Sequence, residues 1–124
     1  MLLDSGKPPL IGEGGIIKME QEKKDLDLFQ KEKIFCLKDI RKKIVRCLYV
    51  YEQDLMDKDD YDYKKYLENI ILYVRSSDHL FDGMLVNVIV YLNILKENDF
   101  EKDQFKKIIF ECKNYVDFLI KGGV

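Results

Sequence analysis

His79 is the only histidine in this 124-residue chain. It follows Asp78, precedes Asp82 by three positions and lies four after Arg75. An imidazole among carboxylates has the makings of a general acid–base pair. That work also needs a second positioned group and a cleft, and no residue pattern here supplies them. His79 is therefore expected near a helix start as a surface or capping group. Cys36, Cys47 and Cys112 form no CxxC pair and fall within apolar helical patterns. They read as reduced, buried thiols of an intracellular protein, not as metal ligands. The run Gly12-Glu13-Gly14-Gly15 has neither a strand before it nor a Lys-Ser/Thr after it, so it reads as a linker and not as a phosphate-binding loop. No cofactor and no metal is expected. Tyr49, Tyr51, Tyr61, Tyr63, Tyr66 and Tyr73 cluster around one turn. An apolar ring with a polar tip suits semi-buried packing and also suits a partner interface.

The elements that must position these residues follow from apolar spacing. Residues 1–24 hold Gly6, Pro8, Pro9, Gly12, Gly14 and Gly15 without periodicity and read as a flexible leader. Residues 25–124 read as a single helical domain. Leu26 to Met56 carries Leu37, Ile40, Ile44, Cys47, Leu48, Tyr51 and Leu55 at steps of three and four, the spacing of an amphipathic helix. Either one long helix or a short helix followed by a longer one is expected, with the break in the second case near Cys36 to Asp39 and Asp39 as the cap. Asp57 to Asp60 is a turn, and Asp60 or Asp62 caps a helix running to Arg75. A third helix is expected from Asp78 to Glu97. Asn98 and Glu101 have the spacing of a capping box for the last helix, with Gly122 at its end. The result is an all-α fold, a compact bundle of four to five helices.

Bulk numbers narrow the function classes. Apolar residues are 47% and charged residues 35% of the chain, which suits a globular helical domain rather than a disordered one. Net charge is −2 and the pI about 5.5, with the two signs interleaved along the sequence. No one-signed face is evident, and nucleic-acid binding is disfavoured. The longest apolar run, Met84 to Leu95, is broken by Asn87 and Asn93 and is too short to span a bilayer. These features favour an intracellular protein, cytoplasmic or nuclear, that recognises another protein.

The segments Tyr66-Leu67-Glu68-Asn69-Ile70-Ile71, Ser76-Ser77 and Tyr91-Leu92-Asn93-Ile94-Leu95 resemble the front of the cyclin box in P-type, or phosphate-pathway, cyclins. The segment Glu111-Cys112-Lys113-Asn114-Tyr115 resembles the Ala-Ser-Lys-Tyr/Phe stretch of that family. The resemblance implies a truncated cyclin box, a partial cyclin fold whose other helices wrap around the helix over 78–97. It implies a non-catalytic regulatory protein that binds a cyclin-dependent kinase through a helical face, with Lys113 and Tyr115 at the partner contact. Ile94 stands where the family commonly has arginine, and Gln104-Phe105-Lys106 where it has a His-Arg pair. Two other readings are carried forward. One is a small helical adaptor or immunity-type protein-binding domain. The other rests on Arg75 and His79, which are similar to the Arg…His signature of HEPN ribonucleases and would have to converge in one cleft, expected across a dimer.

Overall fold

A computed structural model describes residues 11–123 of the chain, with side chains over 23–122. The described residues form four α-helices and no strand: α1 (Ile11–Leu55), α2 (Tyr63–Ser77), α3 (Val86–Glu97) and α4 (Lys102–Phe118). A 3-10 turn, Asp78–Leu80, follows α2, and a last turn, Leu119–Gly123, follows α4. The all-α bundle read from the apolar spacing is what these residues form. The chain divides into two units, Met1–Glu32 and Lys33–Val124. The first expected boundary, after residue 24, therefore falls inside a unit and inside α1. Residues 11–24, expected as a leader, belong to that helix, and residues 1–10 lie outside the described residues. Gly12, Gly14 and Gly15 each weaken a helix by about 1 kcal/mol relative to Ala. Extension of an existing helix still gains a hydrogen bond for each residue fixed. Side chains 23–32 are exposed throughout.

Within the second unit α1 runs unbroken past Cys36–Asp39. The expected cap at Asp39 is absent because its carboxylate points sideways. It accepts a hydrogen bond from the Tyr73 hydroxyl at 2.7 Å and sits 3.6 Å from Lys43 Nζ. The helix stops where Asp57 takes φ +57°. Asp57 N–H donates to the Asp54 carbonyl at 3.0 Å and Lys58 N–H to the Gln53 carbonyl at 3.3 Å, the paired bonds of a Schellman motif with Asp in place of the usual Gly. Two carboxylates then start α2. Asp62 Oδ1 accepts from Lys65 N–H at 3.1 Å, and Asp54 Oδ2 from Tyr63 N–H at 3.0 Å. They satisfy orphan donors and complement the positive helix end.

The third helix is shorter than expected. The chain after Leu80 turns through Asp82 (φ +48°) and Gly83 (φ +84°), and two successive left-handed residues cannot continue a right-handed helix. Phe81 and Leu85 are buried from the turn, so their apolar spacing imitates a helix they do not belong to. The expected capping box also dissolves. Asn98 Nδ2 donates backwards to the Ile94 carbonyl at 2.9 Å, and Glu101 starts α4 without a side-chain cap. Gly122 has φ +126° and ends the last turn.

One core joins the four helices. Leu37, Ile40, Ile44, Cys47 and Tyr51 of α1 meet Leu67, Ile70, Ile71 and Val74 of α2, Val88, Leu92 and Leu95 of α3, and Phe105, Ile109, Cys112 and Val116 of α4. The Tyr51 and Phe105 rings stack at 3.7 Å between centroids, and Tyr63 stands edge-on to Tyr51 at 4.9 Å. Tyr51 donates its hydroxyl proton to the Phe100 carbonyl at 2.9 Å, so the polar tip is satisfied where the ring is buried. Burial pushes the thiols of Cys47 and Cys112 up to about 12, and all three cysteines are unpaired. The helix α3 packs on both α2 and α4 yet leaves Val86, Val90 and Ile94 open on one face.

Candidate protein-binding surface

The residues that hold α1 in the core occupy one stripe of it. The opposite stripe carries Lys38, Arg41, Lys42, Val45, Arg46 and Tyr49, which together line an open surface hollow. All six are exposed. Their spacing of three and four residues places them on one face. Lys38, Lys42 and Arg46 follow at steps of four, where like charges sit side by side and destabilise a helix by about 0.2–0.5 kcal/mol per pair. Only Arg41 of the four cations has a carboxylate partner among the described residues, Asp117 of α4, at 2.8 Å from Nε to Oδ1. The guanidinium of Arg46 lies 5.4 Å from the centre of the Tyr49 ring, a cation–π contact that holds both groups at the surface.

The expected site residues part company here. Lys113 Nζ reaches the other oxygen of Asp117 at 3.0 Å, so Lys113, Asp117 and Arg41 form one cluster at the edge of the basic stripe. Tyr115 is two positions along α4, about 200° around the helix. Its hydroxyl donates to the Met84 carbonyl at 2.8 Å and pins the turn before α3. Lys113 therefore adjoins the surface, while Tyr115 props a loop.

A second hollow, of about 280 Å³, shares Arg46 with the first and adds Asp60, Tyr61, Asp62, Lys65 and Tyr66. Tyr61 meets Tyr49 edge-on at 5.9 Å, and hydrogen bonding to Tyr49, with charge effects behind it, raises the Tyr61 phenol. Tyr66 donates to the Lys43 carbonyl at 3.4 Å. Of the tyrosine cluster, Tyr49 and Tyr61 edge this surface, while Tyr51 belongs to the core. A third hollow continues past Tyr61 and Asp62 to Asp54, Asp57, Lys58 and Asp59. The surface thus changes sign along its length, basic over 38–46 and acidic over 54–62.

The other chemistry candidates lie elsewhere. His79 is exposed, and its Nδ1 is 3.0 Å from the Ser76 carbonyl oxygen, a contact that closes the end of α2. Arg75 is exposed too, and neither residue lines the hollows described above. Among the described residues no group of three or more His, Cys, Asp or Glu side chains is placed to hold a metal ion, the acidic loop included. Among them, too, no helix is long and apolar enough to cross a membrane.

The reading of charges as evenly interleaved missed the basic stripe. From Lys38 to Arg46 the chain carries five cations against Asp39 alone, a local excess that the near-zero balance of the whole chain hides, and neighbours on a helix are three and four apart. A scan for like charges at that spacing picks out Lys38, Lys42 and Arg46. Comparison of the chain with protein-family models, curated proteins and solved structures finds no match.

Proposed function

We propose that this chain is a non-catalytic helical protein-binding module whose contact surface is the outer face of α1. The observation that carries the reading is the like-charge ladder Lys38, Lys42 and Arg46, exposed and interleaved with Val45 and Tyr49. A ladder of this kind lowers helix stability, and only Arg46 of its three members has a described contact that offsets the cost, over the Tyr49 ring. Residues that lower stability without a folding role are the mark of a surface kept for recognition. Exposed Val45 and Tyr49 add the apolar area that anchors a polar-rimmed contact. The three unpaired thiols support an intracellular setting.

The experiment is affinity capture from the source cell with the wild-type chain and with the double variant Lys42→Glu/Arg46→Glu. A protein held by the wild type and lost with the double variant is expected. A partner held equally by both chains would move the contact off this face.

The narrower reading, regulation of a cyclin-dependent kinase, is supported by the cyclin-like residue pattern and by the position of Lys113 beside Arg41 and Asp117. It predicts that the captured protein is a kinase and that Lys113→Glu releases it. Capture of a kinase that Lys113→Glu leaves in place removes Lys113 from the contact.

A further inference from the structure

The outer face of α1 is complementary to itself. It is basic at Lys38, Lys42 and Arg46, the turn that follows α1 is acidic at Asp57, Asp59 and Asp60, and the hollows along them share residues and so form one continuous surface. Tyr49 lines the basic hollow and its ring meets Tyr61, which lines the other two, so Tyr49 stands where the basic and acidic stretches join; Tyr49 and Val45 are both open there. From Lys38 to Tyr49 is about 16 Å at 1.5 Å per residue. Two copies of α1 laid antiparallel about an axis through Tyr49 bring each basic end onto the other copy's acidic end. Such a pairing is isologous, with every contact made twice, the commonest symmetry of protein dimers.

We infer that the occupant of this face is a second copy of the same chain, in an antiparallel dimer through α1. The inference rests on the reading of that face as a contact surface and names its partner. A long polyanion is the weaker occupant, because the acidic end at Asp57, Asp59 and Asp60 repels phosphates just beyond the basic stretch, and the chain as a whole carries −2. A heterologous acidic protein would satisfy one end only and leave the other unmatched. A strip one helix wide belongs to the small, transient class of interfaces. The attraction between its exposed charges is screened by salt.

The test is sedimentation velocity of the full chain over a concentration series, at low and at high salt. The wild type is expected to pass from monomer to dimer as concentration rises, and salt is expected to weaken the dimer. Lys38→Glu/Lys42→Glu and, separately, Asp59→Lys/Asp60→Lys are each expected to weaken it at least about tenfold, equivalent to roughly 1.4 kcal/mol. All four positions are exposed, and circular dichroism checks that both variants remain folded. Mixing the two variants is expected to restore a dimer, because every reversed charge then meets an opposite one. A wild type that stays monomeric throughout overturns the inference and leaves the contact surface to another protein, which the capture experiment identifies. A dimer that neither reversal weakens lies on another face, such as Val86, Val90 and Ile94 of α3, and also overturns the inference. Two variants that each lose the dimer but do not restore it on mixing overturn the antiparallel pairing.

Discussion

The two faces of α1 share a backbone and differ in what holds them. On the inner face Leu37, Ile40, Ile44 and Cys47 are fully buried and Tyr51 nearly so. On the outer face Lys38, Lys42 and Arg46 stand at helical spacing with like charges adjacent. The inner face gains stability by removing apolar area from water, while the outer face loses some through repulsion. A helix built only to close the bundle would carry Glu at one of the outer positions. The difference separates residues that answer to folding from residues that answer to a partner, and it can be broken from either side.

The largest effect belongs to the inner face. Ile44→Ala is expected to cost about 2–5 kcal/mol, the transfer term plus the cavity left behind, read by chemical denaturation. A cost near zero would mean that Ile44 is not packed in the core. Next comes the cap that sets where the second helix starts after α1. Asp62→Ala is expected to cost about 1 kcal/mol by loss of the bond to Lys65 N–H, with binding through the outer face unchanged.

Alkaline pH probes the inner face by charge. Burial holds the Cys47 and Cys112 thiols up at about 12, well above the ordinary thiol value. A group whose folded pKa lies above its unfolded one gives stability that is complete below the unfolded value and is lost as pH rises through the folded value. Stability should therefore fall from about pH 9 towards pH 12. Tyr73 acts in the same direction from about pH 10, since its hydrogen bond to the Asp39 carboxylate, then burial, raises the phenol. A stability flat across pH 9–12, measured by urea titration at each pH, would contradict the burial of both thiols. Tyr51→Phe is expected to cost about 1 kcal/mol, because the Phe100 carbonyl loses its donor.

Much of this was legible in the sequence, for physical reasons that differ by element. The core stripe from Leu37 to Tyr51 could be read because burial demands apolar residues at the helical period and little else satisfies it. The Asp62 cap could be read because few residue types accept from a helix N-terminus. The start of α3 could not, since Phe81 and Leu85 reach the core from a turn and the left-handed pair Asp82–Gly83 is visible only in the backbone. Asp39 looked like a cap because local sequence shows a carboxylate but not the Tyr73 hydroxyl 34 positions away that claims it. The continuation of α1 through Gly12, Gly14 and Gly15 opposed local propensity. Of the candidate site, the chemistry of Lys113 was legible, but its bond to Asp117 beside Arg41 is a tertiary fact. Tyr115 was named through the cyclin-like segment alone, and its bond to Met84, 31 positions away, is not visible in local sequence.

The most direct measurement is the unfolding free energy of Lys42→Glu against wild type. That change turns two repulsive pairs, with Lys38 and with Arg46, into attractive ones. Lys42→Glu is expected to be more stable than wild type by about 0.8–2 kcal/mol, with helix content unchanged. A loss of stability would show that Lys42 helps hold the fold, and the outer face of α1 would no longer stand apart as a surface kept for recognition.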